Sequence, residues 1–168
     1  LPFNGISRRD VVVVAAATVF GTGIRANFPE PGLDAGWLAG LAMAEERGLI
    51  FGQDILFTYG PWGWLDHTVM VTRSQLAFQL LFAFVASAAL ISTLYALLRA
   101  RMPFGPAAAI TLIPVTVLCH LAAPDERVLA TAVAVSLLLI EYRHRITMPY
   151  LAGFAAGVLA SLFLLVKI

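Results

Sequence analysis

From Leu76 to Leu98 the chain runs for 23 residues without a charged side chain. As a helix rising 1.5 Å per residue, such a run is long enough to cross the roughly 30 Å hydrocarbon core of a bilayer. The rest of the sequence fits that setting: 60% of residues are apolar or aromatic and 12% are charged, against roughly 45–50% and about 25% in ordinary globular proteins. A water-soluble fold is strained by these proportions. A net charge of +1 removes the basic surface that a nucleic-acid binder needs. One cysteine, Cys119, and three histidines exclude a disulfide framework and a Cys-rich metal site. Disorder is excluded by the abundance of apolar residues.

The charges are grouped, and the intervals between groups predict an all-α, polytopic membrane domain over residues 1–168. About five spans are expected, at 11–24, 76–98, 106–122, 128–140 and 150–166. The first and fourth are short and must borrow flanking residues, tilt or thin the bilayer. Alternation puts the pairs Arg8 and Arg9, Arg99 and Arg101, and Arg143 and Arg145 on one side, which the positive-inside rule makes cytoplasmic. Glu30, Asp34, Glu45, Glu46, Asp54, Asp66, Asp125 and Glu126, eight of the ten acids, fall on the other. Ser7-Arg8-Arg9 ahead of a Val-rich run also has the form of a twin-arginine export signal. Against cleavage, Arg25 interrupts the apolar run and no A-x-A-like site follows it. The absent initiator Met and the end just past an apolar run lead us to expect the N-terminal part of a longer chain.

Residues 26–73 form the first exterior loop and hold all three Trp. Asp34 stands where a helix N-cap would, before Ala35 to Arg47, and Gly48 stands where a helix-ending glycine would. Trp37, Leu38, Leu41 and Ala44 share one face, while Glu45, Glu46 and Arg47 close the far end. This predicts an amphipathic helix lying at the membrane interface with Trp37 at headgroup level. The following run, with Asp54, Tyr59, Trp62 and Trp64 among Gly and Pro, predicts a shaped loop. Its rings serve either as interfacial anchors or as stacking surfaces for a ligand such as a sugar, with glycines admitting close backbone approach. Trp62 and Trp64 would point the same way only in an extended segment.

The second exterior loop, Ala123 to Arg127, puts Asp125 and Glu126 at a membrane boundary, where carboxylates need water, a partner or a cation. Pairing with Arg127 and an N-cap role for Asp125 answer that need structurally. The functional alternative joins Asp125 or Glu126 to Asp34 across the outer face, with His120 about a turn below. Carboxylate oxygens suit Mg²⁺ or Mn²⁺, and a lone carboxylate suits a general base. His120 beside Cys119 is read first as a packing residue, and His67 and His144 as interfacial and loop residues. Pro114 is expected to kink the third span. Ala86 to Ala89 and the Gly153/Gly157 pair allow close helix packing. The P-loop, dinucleotide-binding, His-Glu-x-x-His and Gly-x-Ser-x-Gly motifs are absent.

Taken together, an N-terminal span, a long first exterior loop with Leu33-Asp34-Ala35-Gly36-Trp37, a helix ending at a glycine, and Pro124-Asp125-Glu126-Arg127 in a short second loop resemble the GT-C class of membrane glycosyltransferases. Leu164-Leu165-Val166-Lys167 resembles a span end before a third exterior loop in such proteins. The resemblance implies sugar transfer from a polyprenyl-phosphate donor on the exterior face. It makes Asp34 the base that deprotonates an acceptor hydroxyl, and assigns Asp125 and Glu126 to a divalent metal or donor phosphate. Arg127 or Lys167 would offset phosphate charge. Trp37, Asp54, Tyr59, Trp62, Trp64, His120 and Arg127 are the expected substrate contacts. The expected partners are membrane lipids, the lipid-linked donor and other membrane subunits, in a bacterial plasma membrane with the N-terminus cytoplasmic. Members of the class have more spans than five and a C-terminal periplasmic part. A non-catalytic subunit of a membrane complex and part of a transporter are the alternatives. The spans hold almost no ionisable residues at mid-membrane depth, which argues against transport.

Overall fold

A computed structural model describes residues 7–23, 33–50, 52–55, 62–65, 72–142, 157–158 and 161, with the backbone alone at 33–35, 125 and 139–142. The described residues are mostly helical and contain no strand element. Helices α1 (Arg8–Gly21), α2 (Leu33–Glu46), α3 (Arg73–Arg101), α4 (Phe104–Ile110), α5 (Thr116–Leu121) and α6 (Pro124–Tyr142) follow in order. A 3₁₀ turn at Gly63–Leu65 precedes α3, and a π segment at Thr111–Val115 joins α4 to α5. Two helical rods, Arg73–Arg101 and Phe104–Leu121, are long and apolar enough to cross a membrane. The four expected spans that fall on described residues correspond to α1, α3, the α4–α5 rod and α6. The fifth lies outside the described residues except at 157, 158 and 161, which are helical.

The helix ends follow local chemistry. Ser7 caps α1: its hydroxyl accepts from the Asp10 N–H at 3.3 Å, while the Asp10 carboxylate accepts from the Ser7 N–H at 2.9 Å, a capping box. Thr72 caps α3 by accepting from the Gln75 N–H at 3.3 Å. Gly48 ends α2 as the sequence predicts. Its φ of 66° allows the Leu49 N–H to reach the Ala44 carbonyl and its own N–H the Glu45 carbonyl, each at 3.0 Å, the double bond of a Schellman motif. One expectation needs correction. Helix α2 begins at Leu33, so Asp34 lies in its first turn and not at the N-cap. Pro114 is accommodated by the π segment. Proline has no N–H for the Ile110 carbonyl, and widening the turn redistributes the bonds. The Thr116 hydroxyl then donates to the Thr111 carbonyl at 2.8 Å.

Helix α3 is the axis of the bundle and touches α1, α4, the π segment, α5 and α6. One apolar cluster, Ala17, Leu90, Ile91, Val115 and Cys119, joins α1, α3 and the α4–α5 rod. A second, Val13, Tyr95, Ala107 and Ala108, continues it toward the C-terminal end of α3. Ala83, Ala86 and Ser87 are buried on α3, and Val128, Thr131 and Ala132 form a buried stripe on α6. Small residues here let the α3 and α6 backbones approach closely. Hydroxyls inside the bundle turn back on their own helices: Ser87 donates to Ala83, Thr111 to Ala107 and Thr131 to Arg127, at 2.6–2.8 Å. The outer faces are apolar, with Val12, Phe20, Ile113, Leu118 and Leu121 all exposed.

Candidate functional site

Three polar constellations stand on this frame. At the C-terminal end of α3, Asp10 from α1 is buried and accepts hydrogen bonds from Tyr95 and from the Arg99 Nε, the latter at 3.1 Å. Arg99 also donates to the Met102 carbonyl at 3.1 Å. The Ser7 hydroxyl first, then the Tyr95 phenol, hold the Asp10 carboxyl well below the usual carboxylate range, with Arg99 adding to them against the opposing effect of burial. This cluster locks α1 to α3.

The second constellation centres on Arg127, which is 4% exposed. Its Nη1 donates to the Thr22 carbonyl at 3.2 Å, the Ala83 carbonyl at 3.4 Å and the Ser87 hydroxyl at 2.8 Å. Its Nε and Nη2 donate to the Ala122 carbonyl at 3.1 and 2.8 Å. One guanidinium thus ties the end of α1, the middle of α3 and the start of α6. Beside it, Glu126 accepts from the Ala123 N–H at 3.0 Å, which satisfies an open donor at the start of α6. His120 lies over Gly23, whose φ is 59°. A Cβ built on Gly23 would stand 2.7 Å from the His120 Nδ1.

The third is a cleft of about 510 Å³ at the N-terminal end of α3. Trp62, Trp64, Leu65 and Phe78 supply apolar walls, and Glu45, Glu46, Thr72, Ser74 and Gln75 supply polar groups. Gln75, itself buried, donates from its Nε2 to the Ala42 carbonyl at 2.7 Å and to Glu45 at 2.6 Å. Gln79 donates to the Trp64 carbonyl at 2.9 Å and so anchors the 3₁₀ turn to α3. The Oε1 atoms of Gln75 and Gln79 are buried without a hydrogen-bond partner. Exposed aromatic faces beside carboxylates form a surface that can stack on a ring and accept its hydroxyl or amine protons.

The structure therefore brings together some of the expected contacts and separates others. Trp62 and Trp64 share the cleft, although the chain there is a 3₁₀ turn and not extended. Trp37 is half-buried on α2 and does not line the cleft. Asp54 closes a local turn by accepting from the Ile50 N–H at 2.9 Å. Glu126, Arg127 and His120 belong to the bundle end, where Arg127 meets α3 at Ala83 and Ser87. That level lies eight residues beyond Gln75, or about 12 Å along the helix axis. Tyr59 and the side chains of Asp34 and Asp125 lie outside the described residues, as does Lys167. Among the described residues, no three His, Cys, Asp or Glu side chains converge.

Seven of the described lining residues, Glu45, Glu46, Leu65, Thr72, Ser74, Gln75 and Phe78, were not assigned to a site by sequence reasoning. The signal was present: two carboxylates at the C-terminal end of a helix oppose its dipole, and Gln75 and Gln79 lie one turn apart at the start of an apolar span. Comparison with family models, with curated proteins and with solved structures finds no match.

Proposed function

We propose that the chain is a polytopic membrane protein that handles a sugar at its exterior face, as a glycosyltransferase of the GT-C kind acting on a lipid-linked donor. The observation that carries this reading is the cleft, where Trp62, Trp64 and Phe78 stand beside Glu45, Glu46 and Gln75. Membrane insertion is supported by the apolar outer faces of α1, α3 and the α4–α5 rod. In this reading α1 crosses from Val11 onward. Asp10 and the Arg8, Arg9, Arg99 and Arg101 group then face the cytoplasm, and the cleft faces outward.

Asp34, in the first turn of α2, is the assigned base for the acceptor hydroxyl. Asp125 and Glu126 are the residues that would hold Mg²⁺ or Mn²⁺, whose charge would offset donor phosphate. A divalent ion there would share Glu126 with the Ala123 N–H that it already accepts. The test uses the full chain in nanodiscs with radiolabelled polyprenyl-phosphate hexoses, following release of the sugar. Asp34→Asn is expected to cut turnover by about 10²-fold or more, as loss of a general base does, with an unchanged melting curve. Undiminished turnover in that variant removes Asp34 from the chemistry.

A second reading, a non-catalytic subunit of a membrane complex, is favoured by one observation. Glu126 and Arg127, two of the expected catalytic-face residues, are engaged in holding helix ends together. Sugar binding without turnover of any donor in the same nanodiscs would select this reading.

A further inference from the structure

The cleft has a chemical bias that the sugar reading alone does not require. Its described polar lining consists of two carboxylates, an amide and two hydroxyls, with no Lys or Arg among them. Arg47 and Arg73 adjoin Glu46 and Thr72 in sequence but do not line it. The Gln75 amide cannot usefully flip, because its Nε2 is held by two acceptors, the Ala42 carbonyl and the Glu45 carboxylate. Its Oε1 is thereby fixed as an acceptor, and it has no donor, although the residue is only 5% exposed. That oxygen is itself shut off from solvent, so the acceptors the cleft presents are the carboxylates of Glu45 and Glu46. The Thr72 hydroxyl accepts from the Gln75 N–H and lies 3.2 Å from the Ser74 hydroxyl, so that pair uses one O–H and leaves one as the donor beside the two carboxylates. Around these acceptors stand Trp62, Trp64 and Phe78, whose ring faces attract cations.

We infer that the cleft selects a sugar bearing a protonated amine, with the ammonium placed between Glu45 and Glu46 and the ring against the tryptophans. The described lining offers the phosphate of a lipid-linked donor no cationic partner. The inference rests on the sugar reading of the cleft and narrows its substrate class.

Isothermal titration of the full chain in nanodiscs with glucosamine, glucose and N-acetylglucosamine tests it. Glucosamine is expected to bind about tenfold more tightly than the other two, the gain that one well-placed ammonium over a ring with a carboxylate partner supplies. N-acetylglucosamine keeps the ring and nitrogen and loses only the charge, so it isolates the ammonium. Glu46→Gln, at an exposed position, and Glu45→Gln, which keeps an oxygen for Gln75, are expected to bring the preference close to unity together. Equal affinity for all three sugars overturns the amine selection and leaves the sugar reading standing. No binding of any sugar overturns both. A preference that survives the double carboxamide variant with an unchanged melting curve also overturns the placement.

Discussion

The helical bundle and the cleft end of α3 dispose of their buried polar groups in opposite ways. In the bundle, Arg127 spreads its donors over three carbonyls and a hydroxyl, and Asp10 collects Ser7, Tyr95 and Arg99. Most buried Ser and Thr hydroxyls there bond to the preceding turn, whereas the described Thr18 hydroxyl has no partner. At the cleft, Gln75 and Gln79 each use the amide nitrogen to fix a neighbouring segment and leave the oxygen unmatched. Saturated groups act as locks, whereas on the proposed function the aromatic faces and carboxylates of the cleft receive a ligand. On that reading the difference separates residues whose loss unfolds the protein from residues whose loss weakens ligand binding.

Arg127→Met should give the largest effect. It removes the guanidinium donors at the junction of α1, α3 and α6 and takes from the buried Thr22 carbonyl and the partly buried Ala122 carbonyl the bonds they accept from it. Charged hydrogen bonds contribute about 1.5–3 kcal/mol each, and they are not additive, so a loss of about 3 kcal/mol or more is expected. Thermal melts in nanodiscs check it, with Arg127→Lys recovering only part because an ammonium cannot span the same acceptors. A mild effect would mean that the bundle does not depend on this lock.

Asp10→Asn comes next, at roughly 2 kcal/mol, since a buried carboxylate that accepts several donors is replaced by a neutral amide. The wild-type protein also carries a pH signature. Its folded Asp10 titrates below the unfolded value of roughly 4, so the stabilisation is complete above that value. It is lost progressively as pH falls below it. Asp10→Asn should flatten this acid limb of a melting-temperature profile. An identical limb in the variant would assign it to other carboxylates.

How much of this was legible in the sequence depends on whether the signal was periodic or relational. The long apolar run of α3, the Gly48 helix end, and the small residues Ala86 and Ser87 are local or periodic features, and a chain that buries apolar surface has few other uses for them. The role of Arg127 was not legible. Its partners lie 40, 44 and 105 positions away, and a short loop with adjacent acids reads equally well as an ion pair. Trp62 and Trp64 stood out by residue type, but their joint cleft depends on Gln79 holding the 3₁₀ turn to α3. Glu45 and Glu46 looked like the polar end of a helix until α3 brought Gln75 beside them.

Gly23→Ala is a smaller test of the bundle end. The left-handed φ costs a side chain about 1–2 kcal/mol, and the added Cβ would crowd the His120 ring. His120→Ala in the same chain should return only the steric part, so a double-mutant cycle separates backbone strain from crowding. Complete rescue by His120→Ala would show that the backbone conformation itself carries no cost.

Trp62→Ala should have the smallest effect on stability and the sharpest effect on function. Trp62 is 42% exposed, makes one wall of the cleft, and is not part of either apolar cluster of the bundle. Its removal should change stability by about 0.5 kcal/mol, the usual scale for an exposed position. Stacking of a sugar on the remaining wall would be lost, and titration with glucosamine should show binding weakened by about tenfold. Arg127→Met and Trp62→Ala thus form opposite corners of one comparison, the first moving the melting curve and the second moving the titration. If Trp62→Ala lowered the melting temperature as much as Arg127→Met while leaving sugar affinity intact, the cleft would be a structural joint. The tryptophans and carboxylates of the cleft would then serve packing and not a ligand.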